Sequence, residues 1–321
     1  MTTTTIPSDS IDVAPAKPAA GPRRRGRIRN RRRLAGVLFV LPAALFIFTF
    51  MLYPLIYSGY MSLTRYNFVY DATPTFIAFG NYIKAMTDPL FVASITNTFV
   101  FGVSYFVIVM IAGLGIALLL FQKIRFNAFF RSAIFVPIVV PLSLACLIFL
   151  WILQPNYGFL NYFLGDVLHL PQLTQPWLSN GPTAMVAIVV VALWASVGFV
   201  TILFLAGLQG ISNEVLEAAE MDGARGLKKI VYIIVPSLRQ TFVVAGTWAI
   251  IHGFKVFVEP MVMTAGGPRT ATLVLYQNVY QTAFTFFDMG YASAMGYILG
   301  AIILIFVGIN FWFGRTKKDE R

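Results

Sequence analysis

The chain has 321 residues, 58% of them hydrophobic and only 12% charged, with a formal net charge of +11. Soluble domains carry about 25% charged residues, so this composition excludes an ordinary soluble protein. One cysteine, Cys146, and two distant histidines, His169 and His252, exclude an internal disulfide and leave no zinc ligand set.

Residues 1–33 are rich in Thr, Pro, Ala and Arg and show no apolar periodicity, so they are expected to form a basic cytoplasmic tail, disordered up to Pro22. The cluster Arg23–Arg33 reads as a topology anchor on anionic lipid, not as a nucleic-acid patch. The apolar run that follows is too long for a removed signal peptide, and no small-residue cleavage site follows it closely. A membrane span needs about 20 apolar residues to cross about 30 Å of hydrocarbon. Six segments qualify: Leu34–Leu63, Ile95–Phe121, Ala133–Trp151, Ala184–Leu208, Thr241–Met263 and Tyr291–Phe313. Backbone groups in lipid must be satisfied within their own segment, so the fold class is all-α and polytopic, with six transmembrane helices in a domain spanning 34–314. Pro137 and Pro141 predict a kink in the third. Ala292, Gly296 and Gly300 give the sixth a small-residue face, for a partner subunit or for another helix of this chain.

Of the 24 Lys and Arg residues, twenty fall in the tail, in the two loops that share its side, or in the terminal stretch 315–321; Arg65, Lys84 and Arg269 fall on the other side, and Lys255 within a span. This bias places both termini in the cytoplasm. The outer segments 64–94 and 152–183 are rich in Pro, Asn, Tyr, Asp and Gly. In the third, 264–290, the apolar-aromatic stretch Leu273 to Phe287 is expected to re-enter the membrane interface.

The cytoplasmic loop 212–238 is more ordered than a mere connection needs. Glu217-Ala218-Ala219-Glu220 starts a short helix, Gly223 breaks it, and a second amphipathic segment ends at Pro236. This reads as a rigid element made to be gripped by another protein. No G-x-x-x-x-G-K-[ST] stretch is present, so the chain carries no P-loop of its own.

In this loop Glu217, Ala218, Ala219, Gly223, Ile233 and Pro236 stand at the spacing Glu-Ala-Ala, three residues, Gly, nine residues, Ile-x-Leu-Pro, with Val235 in place of leucine. Asp222-Gly223-Ala224, Phe79-Gly80-Asn81-Tyr82, Asn97-Thr98, Asn161, Trp177-Leu178, Gly198 and Gly266-Gly267-Pro268 accompany it in order. The chain resembles the permease subunits of binding-protein-dependent ABC importers, in the carbohydrate-uptake branch. The resemblance implies the type I ABC importer permease fold in a bacterial or archaeal inner membrane. The implied partners are a second homologous permease, two ATPase subunits, an extracytoplasmic substrate-binding protein and a sugar. This chain would hold no cofactor, ATP and Mg being bound by the ATPases, and would do no bond chemistry. Lacking a Gly- and Ala-rich C-terminal tail, it resembles the maltose-type first permease. The implied ATPase-coupling residues are Glu217, Ala218, Ala219, Asp222, Gly223, Ala224 and Pro236. The implied substrate path takes Ala195, Ser196 and Phe199 from the fourth span and Ala249, His252, Gly253 and Val256 from the fifth.

Lys255 and Glu259, at i and i+4 in the fifth span, have two readings: pocket or gate groups, or an internal ion pair seating the helix near Pro260. Phe199 likewise reads as path or as packing. Three rivals stay open: an ion-gradient-driven secondary transporter, a membrane-anchored scaffold or receptor, and an importer of the same class for a non-sugar cargo such as glycerol phosphate, a polyamine or an amino acid.

Overall fold

The computed structural model describes residues 38–122 and 125–314, with Thr2 and Gly36 besides. The expected tail 1–33, apart from Thr2, and the end 315–321 lie outside the described residues. Two units are present, Met1–Ile56 and Tyr57–Arg321. In the first, residues 38–56 belong to helix α1 (Leu38–Ser62) and are exposed throughout. A helix apolar on every side is suited to lipid or to a partner, not to water.

In the second unit, α1 ends at buried Met61 and Ser62 and leads into a small cap. Strands β1 (Thr64–Arg65) and β2 (Thr75–Phe76) pair antiparallel and precede α2 (Gly80–Thr87). The buried Asn81 amide donates to the Ser62 and Thr64 carbonyls at 2.9 and 2.8 Å, which ties α2 to the end of α1. Helix α3 (Pro89–Phe121) starts where the Asp88 carboxylate accepts from the Leu90 amide at 2.9 Å, with Pro89 in the first turn, where no N–H is missed. Its 33 residues span about 50 Å.

The core is the seam between α3 and α7 (Gly181–Gln209), where Val109, Val191, Val200, Phe204 and Leu208 are wholly buried. Gly198 is required here: a Cβ on it would overlap the Ile134 carbonyl oxygen, so α7 meets the backbone of helix α4 (Asn127–Val139) directly. Asn161, in the loop that opens with the short helix α6 (Phe159–Tyr162), accepts from the Trp177 indole at 2.8 Å and donates to two loop carbonyls, which orders the second outer segment.

The third expected span is not one kinked rod. Helices α4 (Asn127–Val139) and α5 (Leu142–Ile152) meet at 100°. Val140 is extended, as the residue before a proline prefers, and Pro141 has no N–H to continue the ladder. Among the described residues, five helices are thus long and apolar enough to cross a membrane, and six if this bent pair counts as one.

The fifth span is interrupted as well: α10 (Arg239–Phe254) stops, residues 255–257 leave the helical path, and α11 (Val258–Met263) resumes. The following loop is pinned to α3 by the Asn97 amide, which donates to the Thr270 and Leu273 carbonyls at 2.7 and 3.0 Å. The stretch expected to re-enter the interface forms α12 (Leu275–Phe284), whose first amide donates to Thr98 Oγ1 at 2.7 Å. The last span is α13 (Met289–Gly314). Ala292 is buried, but Cβ atoms added at Gly296 and Gly300 would meet nothing within 4 Å among the described residues. Among the described residues, no other helix therefore packs on that part of the small-residue face.

Candidate functional site

Two places collect the residues singled out above. The first is the elbow between α7 and α10. Helix α8 (Asn213–Met221) begins at Ser212, whose hydroxyl accepts from the Val215 amide, with Glu214 in the positive first turn. It ends in a left-handed cap. Gly223 adopts φ +80°, its amide donates to the Glu220 carbonyl at 3.1 Å, and the Ala224 amide donates to the Ala219 carbonyl at 2.9 Å. Gly226, also at positive φ, turns the chain into a second helix, α9, over residues 227–237. A π-turn at Ile230–Ile234 precedes Pro236 and takes up the ladder bond that proline cannot make.

The elbow is seated on the rest of the chain by Leu216, Ala219, Ile234 and Leu238, all buried. Glu217, Ala218, Asp222, Gly223 and Pro236 face out, and Ala224 is half-buried. Ala219 thus offers close approach to the inner side of the elbow, while Ala218 and the nearly bare Met221 are presented outward.

The two arms are clipped together by Lys229 Nζ on Glu220 at 2.6 Å. This bond, the Lys229 charge and the more distant Arg225 hold the Glu220 carboxyl below its ordinary range. A depressed carboxyl contributes stability above that range and loses it as pH falls through the lowered value. Amide exchange across 213–226, corrected for intrinsic rates, is therefore expected to rise as pH falls from 7 to about 3. Lys229→Met should show raised exchange already at neutral pH with little further acid dependence. An acid response identical in that variant would show that the clip is not its cause.

The second place is a cavity of about 500 Å³. Both helix interruptions open onto it. The α4–α5 break contributes Pro137, Ile138, Val140 and Leu142, and the α10–α11 break contributes Lys255, Val256 and Phe257. Non-helical backbone at membrane depth is tolerated where it lines a cavity or is buried in protein. Helix α7 adds Ala192, Ala195, Ser196 and Phe199, and α3 adds Phe101 and Tyr105. Trp248 and His252 come from α10, Glu259 from α11 and Tyr276 from α12.

The polar groups are arranged in short chains. The Tyr105 hydroxyl donates to Ser196 Oγ at 2.8 Å, which donates to the Ala192 carbonyl at 2.5 Å. Trp248 stacks on His252 with centroids 3.8 Å apart and touches the Phe199 ring at 4.7 Å. His252 Nδ1 lies 3.0 Å from the Trp248 carbonyl. A carbonyl only accepts, so Nδ1 carries the proton and Nε2 is left to accept from a ligand.

Seven of the nine residues expected on the path line the cavity: Ala195, Ser196, Phe199, His252, Lys255, Val256 and Glu259. Ala249 and Gly253 do not. Ala249 is wholly buried, and Gly253 packs its backbone against Gly102 and the Tyr105 ring, in the contact between α10 and α3. Of the two readings of Lys255 and Glu259, the ion pair is not formed: among the described residues the salt bridges are Lys84–Asp288 and Lys229–Glu220. The i, i+4 relation brings side chains together only on an unbroken helix, and this helix breaks between Lys255 and Glu259. Lys255 is exposed, whereas Glu259 is 7% exposed.

Sequence reading missed Tyr105, Trp248, Phe101, Phe257 and Tyr276. Trp248 carried a signal, since it stands four residues before His252 on the same helix face. Tyr105 is brought in from a helix ninety residues away and carried none.

The sequence profile described as "Binding-protein-dependent transport system inner membrane component" matches residues 109–319. A probable ABC transporter permease of Bacillus subtilis, YurN, is 33% identical over 293 residues, covering 91% of this chain and 99% of that protein. The sulfoquinovosyl glycerol transport system permease SmoG of Agrobacterium fabrum is 32% identical over 289 residues, covering 89% of this chain and 92% of that protein. The fold is similar to a chain in the crystal structure of a bacterial ABC transporter that imports the acidic polysaccharide alginate, with a TM-score of 0.76 at 19% identity over 92% of this chain and 99% of that one. With a profile match over most of its length, and with relatives matched almost end to end, the chain belongs to the family of inner membrane components of binding-protein-dependent transport systems.

Proposed function

We propose that this permease forms half of the path of an ATP-driven sugar importer. A second, homologous permease completes the path. Two separate ATPase subunits hold the elbows, and an extracytoplasmic binding protein delivers the sugar. The subunit itself performs no bond chemistry; it follows the stroke of the ATPases and alternates the side on which the path is open. The carrying observation is the lining of the cavity, where Trp248, Phe199 and Phe101 offer apolar faces and Ser196, His252 and Glu259 offer hydrogen bonds. A sugar presents the same pairing of an apolar ring face with a hydroxylated rim. The cargo of SmoG supports a glycosidic substrate.

The test is reconstitution of the complex in vesicles, with ATP inside and a panel of sugars outside in the presence of the binding protein. Uptake should require internal ATP, survive an uncoupler, and accompany sugar-stimulated ATP hydrolysis. Uptake that collapses with the uncoupler and ignores ATP would establish the ion-gradient alternative instead.

Lys255 separates neutral from anionic cargo. Its ammonium has no carboxylate partner among the described residues, so it is free to meet an anionic group such as a glycerol phosphate. Lys255→Met is expected to leave neutral-sugar uptake near its original level. If the cargo is anionic, the same change should lower uptake about ten- to hundred-fold, the usual value of a charge-assisted hydrogen bond. A large loss with every neutral sugar would refute the assignment of Lys255 to anionic cargo alone.

A further inference from the structure

We propose that the exposed face of α12 is a stacking track for a glycan chain, which extends the cavity outward and suits it to an oligosaccharide of several rings. The proposal rests on the sugar-transport reading above and adds to it the length of the cargo.

Tyr276, Tyr280 and Phe284 stand at i, i+4 and i+8, on one face of α12. The other face, with Leu275, Asn278 and Thr282, is buried against neighbouring helices. The three rings are 38%, 39% and 61% exposed, increasing along the helix. Phe257, in the break of the fifth span, joins the row to the cavity: its ring lies 5.3 Å from that of Tyr276 and 5.2 Å from that of Tyr280, and Tyr280 lies 5.1 Å from Phe284. Phe257 and Tyr276 are themselves part of the cavity lining. The row is therefore continuous with the site and is not an isolated patch on an outer helix.

Its chemistry fits a sugar chain. The rings are tilted by 40° to 58° and follow one another at about the size of one sugar ring, so successive sugars can rest on successive faces. The tyrosine hydroxyls place hydrogen-bonding groups beside those faces, which an acyl chain would not use. The support is also rigid. Thr98 holds the first amide of α12, the Asn278 amide donates to Ser94 Oγ at 3.1 Å, and Asn97 fixes the preceding loop. A platform already ordered loses little entropy when a ligand stacks on it.

The experiment uses the complete importer in vesicles, with Tyr280→Leu and Phe284→Leu made separately and together. Uptake of mono-, di- and tetrasaccharides from the 1,4-linked glucose, xylose and N-acetylglucosamine series is compared, and subunit composition is measured after purification. The double variant is expected to lose about ten-fold in kcat/KM for the tetrasaccharide relative to the monosaccharide, with its subunits still together. Equal loss at every length, with a subunit missing from the purified complex, would make this face a subunit contact and overturn the proposal. Unchanged uptake at every length would make it a lipid-facing aromatic belt and overturn it equally. If the unmodified importer moves a sugar but shows no length preference that the variants alter, the track fails while the sugar reading stands. If it moves no sugar of any length, both fall.

Discussion

Gly223→Pro is expected to leave the permease inserted in the membrane and to abolish its coupled work. Proline fixes φ near −65°, whereas Gly223 holds φ +80°. The substitution also removes the amide that donates to the Glu220 carbonyl, and it disfavours the backbone of Asp222, which sits at ψ 4°. These three effects act on one residue, so α8 and α9 cannot keep their present corner. The summed cost is about 3 kcal/mol or more, a factor of over about a hundred in the population of the native elbow. Insertion should survive because the elbow is at the surface and a Cβ at this position would meet nothing within 4 Å. Substrate-stimulated ATP hydrolysis and uptake should both drop to background, while Gly223→Ala, strained only by its positive φ, should retain part of each. Normal uptake by the proline variant would mean that the corner transmits nothing.

Trp248→Ala should act at the other end of the stroke. Trp248 holds His252 and Phe199 in one aromatic stack, with centroids 3.8 and 4.7 Å away. Its removal takes away a wall of the cavity and the partner that orients both rings. Each such contact is worth about 0.5–1.5 kcal/mol, so KM for uptake should rise about ten- to hundred-fold. The unstimulated ATPase rate of the assembled complex should change little, because the elbow is untouched. Val244→Ala, an exposed position four residues earlier on the same helix, serves as the control. An unaltered KM in Trp248→Ala, with a normal amount of protein in the membrane, would remove the cavity from the substrate path.

Most of the membrane-spanning architecture was legible because the constraint on it is local. A run of apolar residues must close its own hydrogen bonds in lipid, and the helices at Pro89–Phe121, Gly181–Gln209 and Met289–Gly314 contain the segments read from composition. Gly223 was legible for the same kind of reason, since a helix stop with glycine at the turn is written in a few neighbouring residues. The sharp bend was only half legible. Pro137 and Pro141 announced a weak point, but proline says where a helix can break and not through what angle; the bend is 100°, and α7 lies against the α4 backbone at Gly198.

The sequence by itself determined which segments are apolar enough to enter a membrane, where the elbow turns, and to which family the chain is similar. Tertiary structure alone decided what the polar residues inside those segments do. Lys255 and Glu259 read either as pocket groups or as an ion pair, the second only if helical spacing continued, and the break at 255–257 undid that second reading. Tyr105 and Ser196 had no visible relation until α3 and α7 brought their hydroxyls within 2.8 Å. The aromatic row on α12 became part of one surface only when Phe257 left its helix and met it. Periodicity and composition are properties of neighbours along the chain, whereas a cavity is made by neighbours across it, and packing chooses those.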